Sequence, residues 1–235
     1  LFSWWVKQPA QQVREALDRY AKLISDQLVN HARKKPKDPD RLVGEPIGAE
    51  ALSLALEREM IAYTPAELVE IAKREFAWCD KEMAKASRAL GFGDDWRKAQ
   101  DQVKKLHVKP GEQPKLIKML ALEAENFLEE RKLLTIPPLC KETWRMQMMS
   151  ASRQRVNPYF TGGEVISVSF PTDEMAHKDK LMSMRGNNIH FSRATVHHEL
   201  IPGHHLQGFM TARYRAYRRR FNTPFWTEGW ALYWE

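Results

Sequence analysis

His197-His198-Glu199-Leu200-Ile201-Pro202-Gly203-His204-His205 places four of the chain's eight histidines within nine consecutive residues. Buried imidazoles need partners, so packing alone is a poor explanation for four of them around a glutamate. Imidazole is a favoured zinc ligand, and the cluster reads as metal-binding. The nearest pattern is H-E-x-x-H, where two histidines at i and i+4 share a helix face and the glutamate serves as general base. Here Pro202 stands at the second histidine position and the next imidazole is His204. On a regular helix six residues turn through about 600°, so His198 and His204 face apart. Seven residues restore the face but add about 10.5 Å of rise. Ligand nitrogens around one zinc must come within roughly 4 Å of each other. Pro202 cannot donate to the carbonyl of His198, and Gly203 can adopt dihedrals closed to other residues. The pair is expected to form a bulge that swings His204 beside His198. The residues alone leave His205 open as the ligand instead.

Downstream, Glu228 opens an apolar helical segment, Glu228-Gly229-Trp230-Ala231-Leu232-Tyr233, 24 residues after His204. A catalytic zinc keeps three protein ligands and one open position, and Glu228 is the third candidate. Upstream, residues 164–170 alternate Val165, Ser167 and Ser169 against Ile166, Val168 and Phe170, the best strand pattern in the chain. Pro171 ends it and suggests a sheet edge. Asn157-Pro158 and Gly162-Gly163 precede it as turn signals.

Residues before about 135 read as successive helices. Val13, Ala16, Leu17, Tyr20, Ile24 and Leu28 mark one apolar face. The basic stretch 33–40 should end that helix, and Gly44, Pro46 and Gly48 mark a turn before a short helix over about 49–60. Thr64-Pro65-Ala66-Glu67 forms a capping box with proline in the first turn, starting a helix that runs to about Leu90. Gly91 and Gly93 stop it, and Asp94 or Asp95 caps the next. Leu116, Ile117, Leu120, Ala124, Phe127 and Leu128 share one face of a further helix, and Pro137-Pro138 closes the region.

Composition sets outer bounds. The 235 residues are 43% apolar, a globular composition long enough for one large domain or two small ones. No stretch approaches the ~18 uninterrupted apolar residues of a membrane span. The formal charge of +7, from 37 basic and 30 acidic residues, is read as a solvated surface. Arg213, Arg215, Arg218, Arg219 and Arg220 are interleaved with Tyr214, Tyr217 and Phe221. At helical spacing they form no single stripe, and no nucleic-acid-binding motif accompanies them. Cys79 and Cys140 permit one disulfide at most, and Cys79, in an apolar helical stretch, is expected to be a buried thiol.

The run His198-Glu199-Leu200-Ile201-Pro202-Gly203-His204-His205-Leu206-Gln207, followed by Glu228-Gly229-Trp230-Ala231-Leu232-Tyr233, resembles the bacterial domain-of-unknown-function family numbered 885, grouped with the gluzincin metallopeptidases. Asn157-Pro158-Tyr159 and the strand at 164–170 match it more loosely. The resemblance implies zinc held by His198, His204 and Glu228, with Glu199 as base. It also implies a mainly α, multi-helical gluzincin-like metallopeptidase fragment with a small β-edge element beside the zinc helix. In gluzincins that edge strand takes up the substrate backbone.

The implied activity is hydrolysis of peptide bonds by Glu-assisted attack of a zinc-bound water. His197, His205, Tyr159 and Tyr233 are candidates for oxyanion, substrate or supporting contacts, and Glu235, two turns after Glu228, for a partner of a ligating imidazole. The alternatives are a zinc hydrolase of a non-peptide amide and a non-catalytic basic binding module. Residues 1–140 are expected to form an N-terminal helical region and 141–235 the zinc-binding catalytic region, truncated at its C-terminus. The expected partners are a peptide substrate and the remaining C-terminal part of the same protein, with no nucleic acid. Exposed aromatics are expected around Phe225, Trp226, Trp230 and Trp234. A bacterial periplasmic, secreted or cytoplasmic location is equally compatible with the sequence.

Overall fold

The computed structural model describes residues 3–29, 47–220 and 222–235. The basic stretch at 33–40, the turn at Gly44 and Pro46, and Phe221 lie outside them. The chain divides into two compact units, Leu1–Glu57 and Arg58–Glu235. The described part of the first unit holds α1 (Ser3–Ile24), continued by a π-helical turn Ser25–Val29, and most of α2 (Gly48–Arg58). The apolar positions Val13, Leu17 and Tyr20 of α1 are exposed.

The second unit is helical around one small sheet. Thr64 caps α3 (Pro65–Ala89) through the full reciprocal capping box with Glu67. Gly91 and Gly93, both at positive φ, end the run, and Asp95 caps α4 (Trp96–Val103) by accepting from Lys98 N–H. Then come α5 (Gln113–Glu130), α6 (Pro138–Thr143), β1 (Arg145–Met148), α7 (Ala151–Val156), β2 (Val165–Val168), α8 (His177–Gly186), α9 (Ile189–Glu199), α10 (His204–Arg213) and α11 (Pro224–Tyr233). Pro138 therefore opens a short helix, as a residue with preset φ and no needed N–H can.

Two apolar clusters hold this unit. Leu116, Ile117 and Leu120 of α5 pack with Ile166 and Val168 of β2, Phe160, Val196 of α9 and Leu200. Leu128 of α5, Ile136 and Cys140 pack with Ile201, and with Leu206 and Phe209 of α10. Adjacent residues Leu200 and Ile201 are thus buried in different clusters, and burying each fully stabilises by roughly 1.5–3 kcal/mol. The helix break between α9 and α10 is pinned on both sides.

The expected edge strand is present in a two-stranded sheet, and its outer side is occupied at one position. β2 pairs with β1 in parallel, Arg145 opposite Val165 through Met148 opposite Val168. Its other side is met at Ser167 by Thr161, which exchanges both backbone hydrogen bonds with it. β2 is therefore not free at its centre to take up an added strand. Ile166 and Val168 are buried while Val165 is exposed, and the single bridge at Ser167 is a feature that an alternation pattern cannot show. The thiol expectation is corrected: Cys79 is exposed, Cys140 is buried, and both are free. Burial pushes the Cys140 thiol up to about 12. α3 buries only Ser87, so the apolar character around Cys79 does not correspond to burial.

Candidate metal centre

The stretch 197–205 is a helix break rather than a bulge within one helix. α9 starts at Asn188, whose side chain accepts from the N–H groups of His190 and Phe191, each at 3.1 Å. Arg193 grips Glu123 of α5 with two hydrogen bonds of 2.9 and 3.2 Å and fixes the rotation of α9. The helix ends at Glu199, because Leu200 takes φ −107° and ψ −113°. A turn follows through Gly203, containing a cis Ile201–Pro202 bond, and α10 begins at His204. The N–H groups of His205 and Leu206 return to the carbonyl of Leu200, at 3.2 and 3.3 Å.

Gly203 is required here for close approach, since its φ of −73° is open to any residue. A Cβ there would lie 1.8 Å from the carbonyl oxygen of His198 and 2.4 Å from that of His197. The backbone entering α10 passes directly over the end of α9, and this brings the two histidines together. Their ring centroids are 4.7 Å apart and nearly perpendicular, at 88°.

Glu228 stands in the second turn of α11, which Thr223 caps and which Gln207 of α10 ties down through the carbonyl of Trp226, at 2.9 Å. Trp230 donates from Nε1 to the carbonyl of Pro202, at 2.8 Å, so α11 is fastened to the break itself. Glu228 Oε2 lies 3.4 Å from Nε2 of His198 and 3.5 Å from Nε2 of His204. One ligand atom from each of the three residues falls within 4.8 Å of the others. Donors at ~2.1 Å from a tetrahedral zinc are about 3.4 Å apart, so two nitrogens and one carboxylate oxygen at this spacing fit that ion. Glu228 is 63% exposed at its side chain, which leaves the group open on one side, as a fourth coordination position requires.

Glu235 lies with Oε1 2.8 Å from Nδ1 of His198. That nitrogen has no well-aligned hydrogen bond, so the carboxylate approaches off the line of the ring N–H. An acid at this nitrogen is what an imidazole ligating through Nε2 uses to hold its orientation and tautomer.

Glu199 Oε2 accepts from Gly162 N–H at 2.8 Å, and the N–H of Gly163 reaches the Glu199 carbonyl at 3.2 Å. Burial raises the Glu199 carboxyl above its ordinary value; Gly162 N–H, His198 and His204 oppose the rise and Glu228 adds to it. The Gly162-Gly163 pair, read from the sequence only as a turn, thus forms the cradle for this side chain. A Cβ at Gly162 would meet Glu199 Cβ at 2.6 Å.

The other candidates lie apart from this group. His205 is buried with Nε2 2.8 Å from the carbonyl of Cys140, tying α10 to α6, and burial lowers its pKa. His197 is half-buried near Glu123, Arg193 and Trp234, and burial lowers its pKa as well. Tyr159 packs on Phe191 and Tyr233 is exposed and edge-on to Trp234. Among the described residues neither stacks on or hydrogen bonds to the His–Glu group. Phe225 and Trp226 are exposed, whereas Trp230 and Trp234 are partly buried.

The profile of a bacterial family described as a protein of unknown function, DUF885, matches residues 6–235. No curated protein matches the chain. A solved structure described as a lipoprotein of unknown function from Shewanella oneidensis shares the fold, with a TM-score of 0.71 and 18% identity over 97% of this chain. The chain spans 43% of the length of that protein.

Proposed function

This chain belongs to the bacterial family DUF885, and we propose that it carries the metal centre of a zinc-dependent metallopeptidase. The observation that carries the reading is the convergence of His198, His204 and Glu228 beside a partly buried carboxylate that is not among them, that of Glu199. A site with only a structural metal has no use for a base at Glu199. His198 Nε2, His204 Nε2 and Glu228 would hold the ion. A zinc ion, when bound, polarises a carbonyl and acidifies water. Glu199, oriented by Gly162 N–H, accepts a proton from the attacking water at Oε1 or Oε2 and delivers it to the leaving amine. Glu235 steadies His198, and Trp230 and Gln207 hold α11 so that Glu228 stays opposite the two imidazoles.

Metal analysis of the full-length protein and cleavage of a peptide library test the reading. Zinc near one equivalent, with cleavage abolished by Glu199→Gln, is the expected result. A protein that binds no zinc, or whose cleavage survives Glu199→Gln, would overturn it.

A further inference from the structure

A cavity of about 520 Å³ adjoins the His–Glu group. His204 lines it, as do Gly163, which donates to the Glu199 carbonyl, and Thr227, the neighbour of Glu228. Arg213, Arg218 and Arg219 line it too. The helix that carries Arg213 ends there: Tyr214 is extended and Arg215 takes φ +59°, so residues 216–220 form a separate 3-10 turn packed back on α10. That reversal gathers arginines which a continuous helix would spread around its circumference.

None of the three is neutralised by an ion pair among the described residues, and two of them, Arg213 and Arg218, are held against aromatic rings. Ion pairs of the described residues engage Arg88, Arg131, Arg145, Arg155, Arg185 and Arg193, but none of the three. The Arg213 guanidinium sits 3.7 Å from the centroid of Phe209, and that of Arg218 5.8 Å from the centroid of Trp226. Stacking on a ring face fixes a guanidinium while its N–H edge stays available to an anion. The acidic residue of the lining, Glu164, is engaged by Arg145 at 3.1 Å. The cavity therefore carries net positive charge, with neutral donors from Asn222 and Gln207, at a volume within the roughly 300–1,000 Å³ of ligand pockets.

We propose that this cavity is the subsite for a carboxylate of the substrate, borne by an acidic side chain or by the peptide terminus next to the scissile bond. The proposal rests on the peptidase reading. Guanidinium groups pair carboxylates bidentately, and the cavity's position beside His204 and Gly163 puts the bound anion within a residue or so of the reacting bond.

The test uses the full-length, zinc-loaded protein and four quenched peptides, identical except that the residue after the cleaved bond is acidic or its amide, and the terminus free or amidated. The expected result is a kcat/KM at least tenfold higher for the peptides bearing the preferred carboxylate. The side-chain pair and the terminus pair show which source is read. Arg218→Gln with Arg219→Gln should reduce that ratio to about one, while lysine at both positions preserves part of it. Calorimetry on the zinc-free protein provides a readout without catalysis. An acetylated dipeptide acid should bind at least tenfold more tightly than its amide, and lose that advantage in the glutamine variant and at high salt. Equal turnover of acidic and neutral peptides, or equal binding of acid and amide, would overturn the proposal. Absence of all cleavage, together with intact carboxylate binding lost in the variant, would refute the peptidase reading and leave the anion subsite standing.

Discussion

Replacing Gly203 by alanine tests how the helix break builds the proposed metal centre. The new Cβ would stand 1.8 Å from the His198 carbonyl oxygen, 2.3 Å from its carbon and 2.4 Å from the His197 oxygen. Cβ contacts below 3.0 Å are essentially never seen, so the closest atom must retreat by at least 1.2 Å. All three obstacles are backbone atoms of the last turn of α9, and no flexible side chain can yield in their place. Leu200 and Ile201, anchored in separate clusters, prevent the break from opening freely. Overpacking of this kind costs about 3 kcal/mol, at the upper end of the usual range. For a protein of this length that lowers the melting midpoint by roughly 6–12 °C. Metal geometry tolerates only about 0.2 Å, so movement of His198 should weaken zinc binding by about 10–100-fold. Calorimetric melting and zinc titration measure both effects. Gly208→Ala is the control: it lies within α10, a Cβ there meets nothing within 4 Å, and the change should gain about 0.5–1 kcal/mol. A Gly203→Ala protein that melts with the parent and binds zinc equally well would refute the reasoning.

Four further outcomes are expected. Glu199→Gln should retain zinc and lose about 10²–10⁴-fold in kcat/KM, whereas His198→Ala and Glu228→Ala should lose both, as read by metal analysis beside peptide turnover. Gly162→Ala, which crowds the Glu199 side chain, should lower turnover while the zinc content stays unchanged. His205→Ala should cost about 1–3 kcal/mol by removing the buried bond to the Cys140 carbonyl, which keeps only the long 3.5 Å bond from Thr143 Oγ1, with zinc stoichiometry intact; loss of zinc would make His205 a ligand. Glu125 is buried and burial raises its pKa, so the folded state holds its proton to higher pH than the unfolded chain. Its contribution is therefore neutral below the ordinary carboxylate range and becomes unfavourable as pH rises through the folded value. Glu125→Gln should accordingly raise the melting midpoint at pH 7 and leave it unchanged near pH 3.

Local signals carried the helices well. The capping box at Thr64 and Glu67, the stop at Gly91 and the apolar face of α5 depend on residues within a turn or two of each other, and the structure has them as read except for Phe127, which is exposed at the margin of that face. The strand at 165–168 was legible as a strand, but its neighbours were not. β1 is only Arg145–Met148, too short and too polar to announce itself, and the single bridge from Thr161 leaves no periodic pattern. Gly162 was visible as a turn glycine, and nothing nearby in sequence shows that its N–H meets a carboxylate 37 residues away.

The sequence by itself determined that the chain is mainly helical, that residues 197–205 cannot be one regular helix, and which residue types gather there. Helix geometry and the missing N–H of Pro202 suffice for that. Only the tertiary structure decided which of the adjacent imidazoles, His204 or His205, turns toward His198 and Glu228. That choice depends on Gly203 lying against the end of α9 and on the Cys140 carbonyl drawing His205 the other way. It likewise decided that Arg213, Arg218 and Arg219 share a cavity, because one residue at positive φ, Arg215, reverses a chain that composition alone would leave as a scattered basic surface.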